Sequence, residues 1–282
     1  MGVKIITDTS ADIPAEEAAQ LGLEVIPFKT MFGTEEYLDG VTLQNEEFYR
    51  KLEQTDVFPT TCQITPFEFE QIFARVTANG DEAVVLPLSG ELSGTAHNAA
   101  IAAGNFTGKV YVVDSLNATI GLHLLVRLAA QLIQEGKSAH DVAQILEEKK
   151  RRLHLYALID TLEYLKRGGR ISKTVAFAGT LLSIKPIIAV NQGRIDVIDK
   201  ARGLKNAEQC LRKYVQQTAG IDFTLPFGFT YSGVTDERLK KYMDENPDFW
   251  KNHEENMYFS QLGSTIGAHI GPGAVAISFF EK

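Results

Sequence analysis

Ser93 and Thr95 stand in LSGELSGTAHNAA, residues 88–100, directly behind the apolar run Ala83 to Leu86 and ahead of an Ala-rich stretch. The apolar, β-branched run reads as a short buried strand, the Ser/Gly-dense segment as a turn, and the Ala-rich stretch as a helix. A hydroxyl at such a junction can cap the helix. The first-turn N–H groups there lack intrahelical partners and carry the positive end of the helix dipole, so a small anion is favoured. The plainer reading, that the hydroxyls only cap their own helix, stays open on these residues alone.

Other chemistries find less support. Ser93 as a hydrolase or acyltransferase nucleophile would need an activating base, yet LSGTA is not G-x-S-x-G and no His or Asp is placed to serve it. No G-x-G-x-x-G follows a strand and no GK[ST] occurs, so no dinucleotide or P-loop cofactor site is expected. The six histidines show no metal-ligand spacing. His269 is set apart by its place in GSTIGAHIGPGA, read here as a Gly-rich loop before a final strand, where a tight backbone path can bring an imidazole to a ligand. A structural histidine is the plainer alternative.

At 282 residues the chain exceeds one ordinary core, which favours two domains. With 44% hydrophobic and 23% charged residues it has the composition of a globular protein. A net charge of −8 argues against a nucleic-acid partner. The basic run Glu148 to Leu153 ends a helical pattern, where it suits the dipole. Cys62 and Cys210 form no pair or framework, which suits a reduced, cytoplasmic protein. The start MGVKIITDTS enters a strand with no leader-like pattern. The longest apolar stretch, 174–190, is broken by Lys185-Pro186, so no integral membrane segment is expected.

The elements that must position these residues follow from periodicity. Strands at Val3 to Asp8, Ala83 to Leu86 and Lys109 to Ser115 each end in polar turns and alternate with helices, the signature of a parallel sheet. Further helices are expected at Asn45 to Gln54, after Thr65 with a capping box to Glu68, at Thr119 to Gln134 and from Ser138 to Leu153. Beyond, a hairpin around Asn191-Gln192-Gly193, helices over AEQCLRKYVQQT and Asp236 to Glu245, and strands at DFTLPFGFTYSG and the C-terminus suggest antiparallel strands with helices on one face. The expected fold is therefore α/β: an N-terminal α/β domain over 1–156 with a mostly parallel sheet, and a C-terminal α+β domain over 157–282 with a mostly antiparallel one.

Nine segments in order, TDTSADIP (7–14), FGTEEYLDGVTL (32–43), PTTCQITP (59–66), LSGELSGTAHNA (88–99), VVDS (112–115), LEYLKRGGRIS (162–172), LLSIKPII (181–188), KARG (200–203) and GSTIGAHIGPGA (263–274), resemble the DegV family of bacterial fatty-acid-binding proteins. The resemblance spans the chain. It implies two domains that hold one long-chain fatty acid between them and present its carboxyl group to a separate fatty acid kinase, feeding phospholipid synthesis without chemistry of their own. It also implies that Thr61 and Ser93 hold the carboxylate, with the N–H groups of Gly94 and Thr95 nearby and His269 and Arg202 at the same end. Cys62 and Ile64 replace the Ser and Pro of the family's Thr-Ser-Gln-Pro, Ala96 the Tyr of Ser-Gly-Thr-Tyr, and Ile270 a common Thr. Thr61, Ser93 and His269 are intact.

Three function classes remain in view: a binding module that presents an acyl group, a Ser93-dependent hydrolase or acyltransferase, and a sensor that changes partners with its ligand. The basic cluster Lys166, Arg167 and Arg170 offers a docking patch for the kinase, or only a solvated turn.

Overall fold

The computed structural model describes residues 2–171 and 183–282. The first part of the expected LLSIKPII segment and most of the 174–190 apolar run lie outside them. The first half runs β1 (Val3–Asp8), α1 (Ala15–Gln20), β2 (Glu24–Ile26), β3 (Lys29–Phe32), β4 (Glu35–Leu38), α2 (Asn45–Gln54), β5 (Thr60–Cys62), α3 (Pro66–Thr77), β6 (Glu82–Leu86), α4 (Thr95–Ala103), β7 (Val110–Val112), α5 (Thr119–Gln134) and α6 (Ala139–Lys149). The second half runs β8 (Leu153–Leu158), α7 (Glu163–Arg167), β9 (Ile184–Asn191), β10 (Arg194–Arg202), α8 (Leu204–Gln216), β11 (Phe227–Tyr231), α9 (Glu237–Asp244), β12 (Met257–Gln261), α10 (Ser264–Ile270) and β13 (Val275–Phe280).

Strands β2-β1-β6-β7 form a four-stranded sheet, parallel throughout. Ala83 to Leu86 of β6 are buried along their length, so both sheet faces are covered. The helix pair α3 and α4 packs on one side and the pair α5 and α6 on the other. A three-stranded antiparallel sheet, β4-β3-β5, flanks this layer. This sheet is not among the expected elements: the apolar segment LEVIPFKTMF (23–32) divides between two sheets at Pro27-Phe28, and the exposed Glu35-Glu36 give β4 no apolar alternation.

The second sheet has the order β10-β9-β8-β13-β11-β12 and is antiparallel except for the β11–β12 pair. Its side chains alternate between two cores, as the pleat requires. Leu155, Ala157, Ile188, Ala276 and Phe280 join the main core, while Leu158, Ile187, Phe227, Phe229, Ile277 and Phe279 pack with α8 and α9 in a second one. Helices thus cover both faces rather than one, because α5 packs against β8, β11, β12 and β13. The expected hairpin is present, with Gln192 at φ 47° and Gly193 at φ 83°, the two positive angles of a type I′ turn.

The architecture is the expected one of an α/β part and an α+β part. Strand β8 pairs with β13 on one edge and β9 on the other, so a division at 156 would cut through it. We propose the boundary ahead of Leu153, in the turn Lys150–Arg152. Among the described residues, no helix is long and apolar enough to cross a membrane.

Candidate ligand-binding site

In the parallel sheet the chain leaves β1 toward β2 on one side and toward β6 on the other, so the crevice beyond the carboxyl ends of β1 and β6 is a topological switch point. Asp8 closes β1 there: it accepts hydrogen bonds from the Ser10 backbone N–H at 3.0 Å and the Leu88 N–H at 2.8 Å, and from the Ser10 hydroxyl. Burial still pushes its carboxyl up to about 6. These bonds tie the loop after β1 to the loop after β6, which carries Ser93.

Ser93 or Thr95 was expected to cap α4. The N-cap is Gly94 instead, and Ser93 lies one residue outside it. Ser93 Oγ is 2.9 Å from Thr95 Oγ1 and accepts a long bond of 3.3 Å from the Thr95 N–H. Thr95 is wholly buried, accepts from the Ile64 N–H at 3.3 Å and does not line the cavity. Gly94 is exposed and serves a close approach: a Cβ there would lie 2.2 Å from Gln63 Oε1.

Thr61 projects from β5, where β3 fixes it opposite Thr30. His269 comes from α10, and its Nε2 lies 3.0 Å from Thr61 Oγ1. The segment around His269 is a helix, not the loop expected. Glycines bound it, with Gly263 at the N-cap and Gly271 at φ 74°, and the internal Gly267 lets the helix approach α2: a Cβ would be 2.6 Å from a Phe48 ring carbon. Burial and the positive charge of Arg170 push the imidazole down to about 4, so it is neutral at pH 7.

Arg170 itself turns inward rather than joining a docking patch. After α7 the chain closes in a Schellman motif, with Gly169 at φ 69° and the Arg170 N–H donating to Leu165 O at 3.0 Å. Its guanidinium donates to Leu92 O at 3.1 Å and Gly168 O at 2.6 Å. Among the described residues no carboxylate is within ion-pair range of it, and burial lowers its pKa. Arg167 stays outside, paired with Glu163 at 2.5 Å and over the Phe58 ring. Arg202 is not at the site: it is exposed at the far end of β10, opposite Ile184. The near end is fixed where Ser89 Oγ donates to Gly193 O at 2.9 Å. Seven residues of strand from Ile195 carry Arg202 about 23 Å away.

These groups line one cavity. Thr61, Gln63, Ser93, Arg170 and His269 line one polar portion; Leu88, Leu155, Ala157, Ile188, Val190 and Ile195 supply apolar wall. Thr230 and Thr265 also line it, but their hydroxyls are committed to Ser260 O and Asp39. The walls come from both halves of the chain. Gln63 and Arg170 are two polar lining residues that sequence reasoning did not assign to the site; the Gly-Gly ahead of Arg170 was the signal for its turn.

The family model described as "Uncharacterised protein, DegV family" matches residues 2–282. The chain belongs to the DegV family. A DegV domain-containing protein of Deinococcus radiodurans is 34% identical over 282 residues, covering 99% of this chain and 98% of that one. A solved DegV family structure from Thermus thermophilus, described as fatty acid binding, superposes with a TM-score of 0.87 at 30% identity over 100% of both chains. DegV of Bacillus subtilis, described as a fatty acid binding protein, gives 0.84 at 28% identity, again over 100% of both.

Proposed function

We propose that this chain binds one long-chain fatty acid, with the carboxylate among Thr61, Ser93, His269 and Arg170 and the tail along β8, β9 and β10, and presents the carboxyl group to a separate fatty acid kinase. The observation that carries the reading is a cavity with hydroxyls, an imidazole and a guanidinium that has no carboxylate partner among the described residues at one portion, and aliphatic side chains along the rest. The fatty-acid-binding descriptions of the Thermus and Bacillus relatives support it. The tail supplies affinity: about 0.8 kcal/mol per buried CH₂ gives on the order of 11 kcal/mol for a tail of about 14 methylenes, before the losses of association. The polar end supplies orientation. Arg170 offers the local positive potential a carboxylate needs in a chain of net charge −8.

The hydrolase alternative lacks a base. Ser93 Oγ meets the Thr95 hydroxyl, whereas the His269 Nε2 that a nucleophile would require is bonded to Thr61. Gly94 and Thr95 support Ser93 by position and packing, and Arg170 takes the place foreseen for Arg202.

Mass spectrometry of an organic extract of the purified protein tests the ligand; a chain that carries and takes up no long-chain fatty acid would end the proposal. A Thr61→Ala, Ser93→Ala double variant should keep tail binding but lose acyl-phosphate formation with the kinase at saturating ligand. Equal formation by the two proteins would place the carboxylate elsewhere.

A further inference from the structure

We propose that Asp39 is the positioning residue of the polar end of the cavity: its carboxylate holds α10 by the N-terminus and thereby sets where His269 meets Thr61. The functional side of this inference rests on reading that end as the carboxylate site; the positional side does not. Helix α10 has seven residues, including a central Gly267, and is too short to be stable by itself. Something outside it must fix its place.

Asp39, in the bend after β4, does so from 225 residues away in sequence. Its Oδ1 accepts from both the backbone N–H and the hydroxyl of Ser264, each at 2.8 Å. Its Oδ2 accepts from the backbone N–H of Thr265 at 3.1 Å and the Thr265 hydroxyl at 2.5 Å. Gripping two successive residues with two oxygens fixes the helix along its axis and about it. Asp12 Oδ1 adds a bond of 2.7 Å from the Gly263 N–H, and Thr30 Oγ1 lies 2.8 Å from Ser264 Oγ. All three partner residues, Asp39, Asp12 and Thr30, belong to the first half, while α10 belongs to the second.

The consequence reaches the cavity because Thr265, Ile266, His269 and Ile270 of this one helix line it. Any shift at Asp39 is delivered to the imidazole, whose place is tightly bounded: a Cβ on Gly168 would lie 2.1 Å from His269 Nδ1. An asparagine at 39 would keep the size of the carboxylate but leave one oxygen in place of two, so one of the two donor pairs, Ser264 or Thr265, loses its acceptor.

The test compares Asp39→Asn and the milder Ser264→Ala with Phe73→Leu, a core substitution in α3 that lowers stability without touching α10. Imidazole NMR of the ligand-free proteins should show the His269 midpoint rising from its wild-type value in Asp39→Asn, rising less in Ser264→Ala and unchanged in Phe73→Leu. Acyl-phosphate formation with the kinase should fall about tenfold or more in Asp39→Asn while fatty-acid affinity changes less than about threefold. A His269 midpoint unmoved in both α10-directed variants, or moved as far by Phe73→Leu, overturns the inference. A wild type that binds no fatty acid would defeat the proposed function, yet the ligand-free NMR comparison would still decide the role of Asp39.

Discussion

At the scale of single residues, the polar end depends on two features of opposite visibility. Ser93 could be picked out as a candidate from its own surroundings, because a hydroxyl between a buried strand and an Ala-rich helix suits an anion, although helix capping alone was the plainer reading there. Arg170 could not, since its role comes from a Schellman turn that folds it back over Leu92 rather than from its neighbours' charge. Replacing it with a methionine keeps much of the aliphatic stem and removes the cation. We expect Arg170→Met to weaken binding of an ionised long-chain fatty acid about ten- to hundredfold, the range of one charged hydrogen bond. A fatty alcohol of the same length should bind wild type and variant alike, and an equal loss for both ligands would show that the guanidinium contributes packing instead. Gly168→Ala forces a Cβ against the ring of His269. It should break the contact with Thr61 and lower stability by about 1 to 3 kcal/mol, measurable by urea denaturation.

At the scale of elements, local signals decided what could be read. Helix α3 was legible because its start is written in Thr65, Pro66 and Glu68, and the structure holds both halves of the capping box: Glu68 N–H to Thr65 Oγ1 at 3.3 Å and Thr65 N–H to Glu68 Oε2 at 2.8 Å. Thr65→Ala should therefore destabilise the protein by about 1 kcal/mol, seen as a lower denaturation midpoint with an unchanged slope. Helix α5, Thr119–Gln134, likewise matched its apolar periodicity. Helix α10 was illegible because glycine-rich sequence disfavours a helix locally, and the groups that sustain it, Asp39, Asp12 and the rings of Phe48 and Tyr49, are remote in the chain. Strand β4 was hidden by its exposed glutamates, and β12 by a pairing with β11 that no hairpin signal announces.

At the scale of the whole molecule, the site exists only because the two halves are packed together, and buried titratable groups at that junction make its stability depend on pH. His269 titrates near 6.5 in an unfolded chain. Burial and Arg170 push it down to about 4 in the fold. Between those values the unfolded state holds more protons, so this group's effect is a loss of stability as pH falls from 6.5 toward 4, about 2 kcal/mol by pH 5. Asp8 works the other way over an overlapping range. Its carboxyl is raised from 3.8 to about 6 by burial, so the folded state holds more protons there and acidification through this group stabilises. Asp12, whose carboxyl burial likewise raises well above its ordinary value, acts in the same direction as Asp8, and both oppose His269 in the wild type. His269→Gln keeps a hydrogen-bonding side chain opposite Thr61 and removes one of the opposing groups. Its unfolding free energy should fall less between about pH 7 and pH 5 than that of the wild type, or rise, as the contribution of Asp8 and Asp12 is left uncompensated. Parallel pH profiles for the two proteins in urea denaturation would mean that His269 is not held neutral by its buried position.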